Sequence, residues 1–188
     1  MQIEFFFDTV SPYSYVAASQ VPALERRTGA TVRWRPFFLG GLFKTIGNRA
    51  PLELPAKARY LWHDLERLAR FHGIALRKPD NFPFNSLTAQ RALAAMDDDA
   101  CRAAAQQLFQ ARWAEGRPID EEQSLTGILG SEALAGAGTA GARDALKANT
   151  EEAAERGAFG APTFFIGDAL FFGCDRLHII EAELLAGR

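Results

Sequence analysis

The run Ile3-Glu4-Phe5-Phe6-Phe7, ended by Asp8 and followed at once by Ser11-Pro12, leaves this chain few ways to begin folding. Consecutive phenylalanines give a short segment no polar face, so they predict a strand covered on both sides at the centre of a sheet. Ser11 can cap a helix, and Pro12 fits the first helical position, where a backbone N–H has no partner to lose. Tyr15, Val16, Val21 and Leu24 then recur at roughly helical spacing until Gly29 stops the run. From Thr31 to Phe37, Val32 and Trp34 alternate with Arg33 and Arg35, the period of a strand with one covered face. Strand, helix and strand in this order close as a right-handed parallel crossover.

Gly40-Gly41 punctuates the chain, and from there to about residue 156 the periodicity is helical. Ala58, Leu61, Trp62, Leu65, Leu68 and Ala69 form one apolar stripe between Pro55 and Gly73, which predicts an amphipathic helix. Further helices are expected from Ser86 to Met96, through Ala104, Leu108, Phe109 and Trp113, from Asp120 as an N-cap, and from about Arg143 to Arg156 with Gly157 as a left-handed cap. Asp97-Asp98-Asp99 reads as a solvated break in which one carboxylate caps the next helix. The stretch from Gly136 through Gly138 to Gly141 matches GxGxxG, but no strand precedes it, so a flexible loop between helices is expected rather than a dinucleotide site.

After Gly160 the strand pattern returns. Thr163 to Ile166 and Ala169 to Phe172, joined by Gly167-Asp168, predict an antiparallel hairpin. A last helix bears Leu177, Ile180 and Leu184, with Asp175 expected as its cap. The fold class is therefore α/β in the order βαβ, helical insertion, ββα. Residues 1–41 and 157–188 are assigned to one domain, and residues 42–156 to an all-helical domain inserted after the second strand.

Composition removes several function classes. A net charge of −2, with lysine and arginine scattered, gives no stripe to neutralise phosphates, so no nucleic-acid partner is expected. Glu4 stands where a signal peptide needs positive charge, and no apolar run approaches the ~20 residues of a membrane span. A cytoplasmic protein with no membrane partner is expected. Cys101 and Cys174 are too far apart in sequence for a CxxC pair, and His63, His72 and His178 lack a ligand spacing, so neither a disulfide nor a metal site is expected.

A helix opening straight from a central strand presents unpaired N–H groups and about half a positive charge at one point, a seat for an anion. Ser11 occupies that point. Its hydroxyl can donate to a thiolate supplied by a cofactor and so lower the thiol pKa from about 8.5; a plain N-cap explains the residue equally well. Pro162 begins a strand, where its missing N–H is harmless and a cis bond is possible. If that bond is cis, the Ala161 backbone faces the first helix and can pair with a short extended peptide. A tripeptide thiol suits both features.

Four segments together resemble one family: Phe5-Phe6-Phe7-Asp8 with Ser11-Pro12-Tyr13-Ser14-Tyr15; Lys44 with Ile46-Gly47-Asn48 and Pro51; Phe159-Gly160-Ala161-Pro162-Thr163; and Gly173-Cys174-Asp175-Arg176. In this order they are similar to 2-hydroxychromene-2-carboxylate isomerases and kappa-class glutathione transferases, of the DsbA-like branch of thioredoxin folds. The resemblance implies a glutathione site between the thioredoxin half and the helical insertion. There Ser11 would hold the sulfur, Ala161 with Pro162 would pair with the cysteinyl backbone, and Asp175 would take the γ-glutamyl amine, with Cys174 in place of a small polar neighbour. Lys44 and Asn48, in the loop after the second strand, would meet glutathione or an acidic substrate. Asn85 in Asn81-Phe82-Pro83-Phe84-Asn85-Ser86 would reach the substrate, and Tyr60 and Trp62 would line an aromatic pocket, although core packing is the commoner fate of such rings.

The implied activity is glutathione-dependent isomerisation of an aromatic α-keto acid, as in aromatic catabolism: a thiolate adds to a conjugated double bond, the bond rotates, and the thiolate leaves. A kappa-like transferase that keeps the thioether is the alternative, and a non-catalytic thiol-binding module is the third reading. Disulfide exchange is excluded, because Ser11-Pro12-Tyr13-Ser14 carries no thiol. A homodimer is expected from the resemblance.

Overall fold

The computed structural model describes residues 1–186. The order is β1 (Gln2–Phe7), α1 (Pro12–Thr28), β2 (Thr31–Pro36), α2 (Leu39–Ile46), α3 (Pro55–His72), α4 (Leu87–Ala94), α5 (Asp98–Phe109), α6 (Glu122–Leu129), α7 (Ser131–Ala137), α8 (Ala140–Glu155), β3 (Thr163–Ile166), β4 (Ala169–Phe172) and α9 (Leu177–Ala186). A 3₁₀ turn at Pro51–Glu53 precedes α3, and a π-turn at Gln110–Ala114 continues α5.

The strands form one mixed sheet in the order β2-β1-β3-β4. Strand β1 pairs in parallel with β2, Phe5 opposite Trp34, and antiparallel with β3, Phe5 opposite Phe164. The all-apolar character of β1 follows from this central position, and Phe5, Phe6 and Phe7 are each 0% exposed. The strand period sends alternate rings to opposite faces. Phe5 and Phe7 join Trp34, Phe164 and Phe109 in the larger core beneath α1 and the helical segment. Phe6 packs on the other face with Phe37, Phe165 and Ala153 of α8. There the guanidinium of Arg156 lies 3.8 Å from the centre of the Phe165 ring. That face is closed by an ion-pair cluster of Arg35 and Arg156 with Glu4 and Glu152.

The expected βαβ unit, the helical stretch between β2 and β3, and the closing hairpin and helix are all present. Five local expectations are corrected. Gly40 and Gly41 do not break the chain but lie inside α2, and they are small because the Phe38 ring lies against them: a Cβ on Gly40 would sit 3.2 Å from Phe38 Cζ. Lys44 consequently lies on α2 rather than in a loop. Asp120 does not cap a helix, because its carboxylate accepts from Asn81 Nδ2 at 2.9 Å and α6 starts at Glu122. The Gly136–Gly141 stretch is largely helical: Gly136 lies in the last turn of α7, which ends at Ala137, and Thr139 caps α8 by accepting from Ala142 N–H. Asp175 lies one residue outside the cap position of α9, and its carboxylate pairs with Arg176. Asp97, by contrast, caps α5 as expected, accepting from Ala100 N–H at 2.8 Å.

Candidate functional site

The polar centre of the fold forms where β1 hands over to α1. Ser11 is the N-cap of α1 and 5% exposed; its Oγ accepts from Ser14 N–H at 3.2 Å and donates to the carbonyl oxygen of Ala161 at 3.1 Å. The first-turn N–H of Tyr13 has no acceptor within the helix, because the i−4 partner lies outside it. The Ala161–Pro162 peptide is cis, as is Phe82–Pro83, which the sequence reading did not anticipate.

The remaining segments converge on this point by hydrogen bonds. Pro162 O accepts from Gly173 N–H at 3.0 Å, which ties the loop after β4 to the start of β3. Gln20 on α1 donates to Cys174 O at 3.2 Å and holds the same loop from the other side. Gly173 has φ +107, and a Cβ there would lie 2.6 Å from Asp175 Oδ1, so only glycine lets the carboxylate fold back in this way. Asn48 Nδ2 donates to Phe159 O at 3.1 Å, joining the end of α2 to the segment before Pro162. Ser11, Asn48, Ala161, Pro162, Cys174 and Asp175 thus belong to one linked region.

The other expected site residues lie elsewhere or are locally engaged. Lys44 lines a groove between α2, α4 and α8. Asn85 Oδ1 accepts from Leu87 N–H and so shapes the start of α4. Tyr60 is exposed and donates to Asp64, and Asp64 also accepts from Tyr13 Oη at 3.0 Å. Burial, with Asp64 added, pushes the Tyr13 phenol well above its ordinary value. Trp62 packs edge-on against Phe82 at 5.1 Å, closer to core packing than to an open pocket. Burial also pushes both thiols up to about 12, for Cys174 with the neighbouring carboxylates of Asp175 and Asp64 adding to the effect. Cys174 therefore stays a protonated, apolar filler.

Two residues that shape this centre escaped the sequence reading. Asp8 is fully buried and accepts from Val10 N–H at 3.0 Å and Leu39 N–H at 2.9 Å, so one carboxylate fixes both the turn leading to Ser11 and the start of α2. Burial raises its pKa from 3.8 to about 6, against the hydrogen bonds of Val10, Leu39 and Ser86. Gln90 on α4 accepts from Thr9 N–H and donates to Phe7 O and Phe37 O, clamping the ends of β1 and β2. A glutamine set among Ala89, Ala92 and Leu93 on a buried helix face was the signal available. Trp113, turned inward in the π-turn, donates to Thr9 O at 3.0 Å and completes the support of the turn.

A parallel βαβ unit, an antiparallel hairpin and a proline loop facing the first helix define a thioredoxin-type protein. The chain belongs to the DSBA-like thioredoxin domain family, whose model matches residues 2–185. Within it, the chain is 33% identical over 192 residues to a 2-hydroxychromene-2-carboxylate isomerase of Sphingobium xenophagum, covering 97% of each chain. It is 31% identical to glutathione S-transferase kappa 1 of Caenorhabditis elegans, covering 98% of this chain and 90% of that one. Among solved structures, a selenomethionine 2-hydroxychromene-2-carboxylate isomerase superposes with a TM-score of 0.89 at 31% identity, over 99% of this chain and 95% of that one. No helix among the described residues is long and apolar enough to cross a membrane.

Proposed function

We propose that the protein is a glutathione-dependent isomerase of the 2-hydroxychromene-2-carboxylate type. The observation that carries the reading is the 3.1 Å contact between Ser11 Oγ and Ala161 O, with the Cys174–Asp175 loop docked beside it. The groups present fit glutathione. A hydroxyl and a free first-turn N–H suit a sulfur anion, the Ala161 backbone suits an extended peptide, and the exposed carboxylate of Asp175 suits an ammonium group. When bound, glutathione supplies the thiolate nucleophile that rotation about a conjugated double bond requires.

The chain's own residues then act as follows. Ser11 turns its proton from Ala161 O to the sulfur, which favours the anion and frees that carbonyl to accept an N–H from the bound peptide. Asp8 and Gln90 hold the turn that aims Ser11, so the hydroxyl does not have to search for its position. Asn48 fixes the backbone just before the proline loop. The likeness to the isomerases supports an aromatic α-keto acid as substrate; we read residues 1–41 with 157–188 and residues 42–156 as two parts, with glutathione bound between them. The same likeness supports a cytoplasmic homodimer, which light scattering on the purified protein checks.

Calorimetric titration with glutathione, followed by a spectral screen of hydroxybenzylidenepyruvate-type compounds, tests the reading. Saturable binding with recovery of free glutathione and a geometric isomer supports it. A stable thioether supports instead the kappa-like transferase that the Caenorhabditis elegans relative suggests. Binding without any turnover leaves a thiol-binding module.

A further inference from the structure

The groove that Lys44 lines is separate from the Ser11 centre. It is a cavity of about 290 Å³ between α2, α4 and α8, and neither Ser11, Ala161, Pro162 nor Asp175 contributes to its walls. Its rim carries Lys44, Arg91, Arg143 and Lys147. The one carboxylate lining it, Glu151, already pairs with Lys147 at 2.7 Å. A net positive groove in a chain whose overall charge is −2 concentrates anions at this place.

Arg91 gives the independent observation. Among the described residues, the half-buried arginines Arg35, Arg102 and Arg156 all pair with carboxylates. Arg91 is half-buried too, yet its guanidinium makes no hydrogen bond or ion pair there. Its N–H donors are therefore open to a ligand, and a planar acid group can accept two of them in parallel. The floor beside it is apolar, made by Phe38, Leu87 and the buried Leu146.

We propose that this groove is a second binding site, for a small aryl carboxylate. The acid group forks onto Arg91, Arg143 and Lys147 supply the surrounding positive field, and the ring lies on Phe38 and Leu87. The site does not depend on the glutathione reading, and the two fail separately.

The test is calorimetric titration of the whole protein with 2-naphthoate, and with 2-naphthylmethanol as its neutral counterpart. Saturable binding of the acid is expected, weakened about tenfold or more in Arg91→Met and in Arg143→Gln, as loss of a charge-assisted contact implies. Binding is expected to be unchanged in Ser11→Ala, and glutathione titrates Arg91→Met as it does the natural protein. Absence of saturable naphthoate binding overturns the proposal. So does equal binding by Arg91→Met, equal binding of the alcohol, or loss of binding in Ser11→Ala, which would move the acid to the Ser11 centre. A glutathione titration that fails in the natural protein, with naphthoate binding intact, rejects the isomerase reading alone.

Discussion

Ser11 Oγ and Ala161 O lie 3.1 Å apart across 150 residues of sequence, and this bond fastens the start of the first helix to the loop before the third strand. Replacing Ser11 by alanine removes both the cap and the donor. Turnover with glutathione is expected to fall on the order of a hundredfold, the usual cost of deleting one donor to a developing anion. Stability is expected to fall by only about 1 kcal/mol, the cost of a lost N-cap. Initial rates and urea unfolding of the same preparation separate the two effects; a rate equal to that of the natural protein rejects the role given to Ser11.

Gly160 lies under the ring of Phe172, where an added Cβ would stand 2.7 Å from Cε2. Gly160→Ala is expected to cost about 1–3 kcal/mol through overpacking. In the double variant with Phe172→Ala most of that cost should vanish, so a double-mutant cycle by chemical denaturation shows strong coupling. Purely additive losses would mean that the ring does not set the limit.

Asp8 makes stability depend on pH in a specific direction. Its pKa is about 6 in the folded protein against an ordinary 3.8, so between these values the folded state holds the proton that the unfolded chain has released. The contribution is complete below about pH 4, declines as pH rises, and is lost above about pH 6, a change of about 3 kcal/mol. Asp8→Asn should therefore gain on the natural protein as pH rises from about 4 to about 7. Parallel unfolding curves that keep a constant gap across this range would show that the carboxyl titrates normally.

Both thiols are buried, and their pKa values stand at about 12. Native protein is expected to resist a chromogenic disulfide reagent at about pH 8, because the thiolate is the attacking form. Both cysteines should react at once in denaturant. Rapid native labelling would mean that the Cys174 loop opens readily from Gln20.

Much of the fold could be read from the chain because β1 advertises its place: a strand without a polar face has to lie between two others, and the Ser-Pro step after it has to start a helix. Ser11, Ala161 and Pro162 were legible for the same reason, as each sits at the end of a strand with an unmistakable pattern. Asp8 and Gln90 were not, because their importance lies in hydrogen bonds to Leu39 and Phe37, across contacts that no local period reveals. The Gly40-Gly41 pair misled because glycine signals a break and a close approach with the same letter, and here the Phe38 ring decides between them. Asp120 and Asp175 were drawn from cap positions by Asn81 and Arg176. Side-chain competition of that kind is settled only in three dimensions.

The central place of β1 also sets an order in time. Its neighbour on one side, β2, follows within a few dozen residues, while β3 arrives only near the end of the chain. A nascent polypeptide can therefore build the first half of the sheet and all the intervening helices while Ser11 still faces no proline loop. A chain cut before β3 lacks the Ala161 carbonyl that Ser11 meets, and with it the backbone edge that the proposed glutathione reading requires.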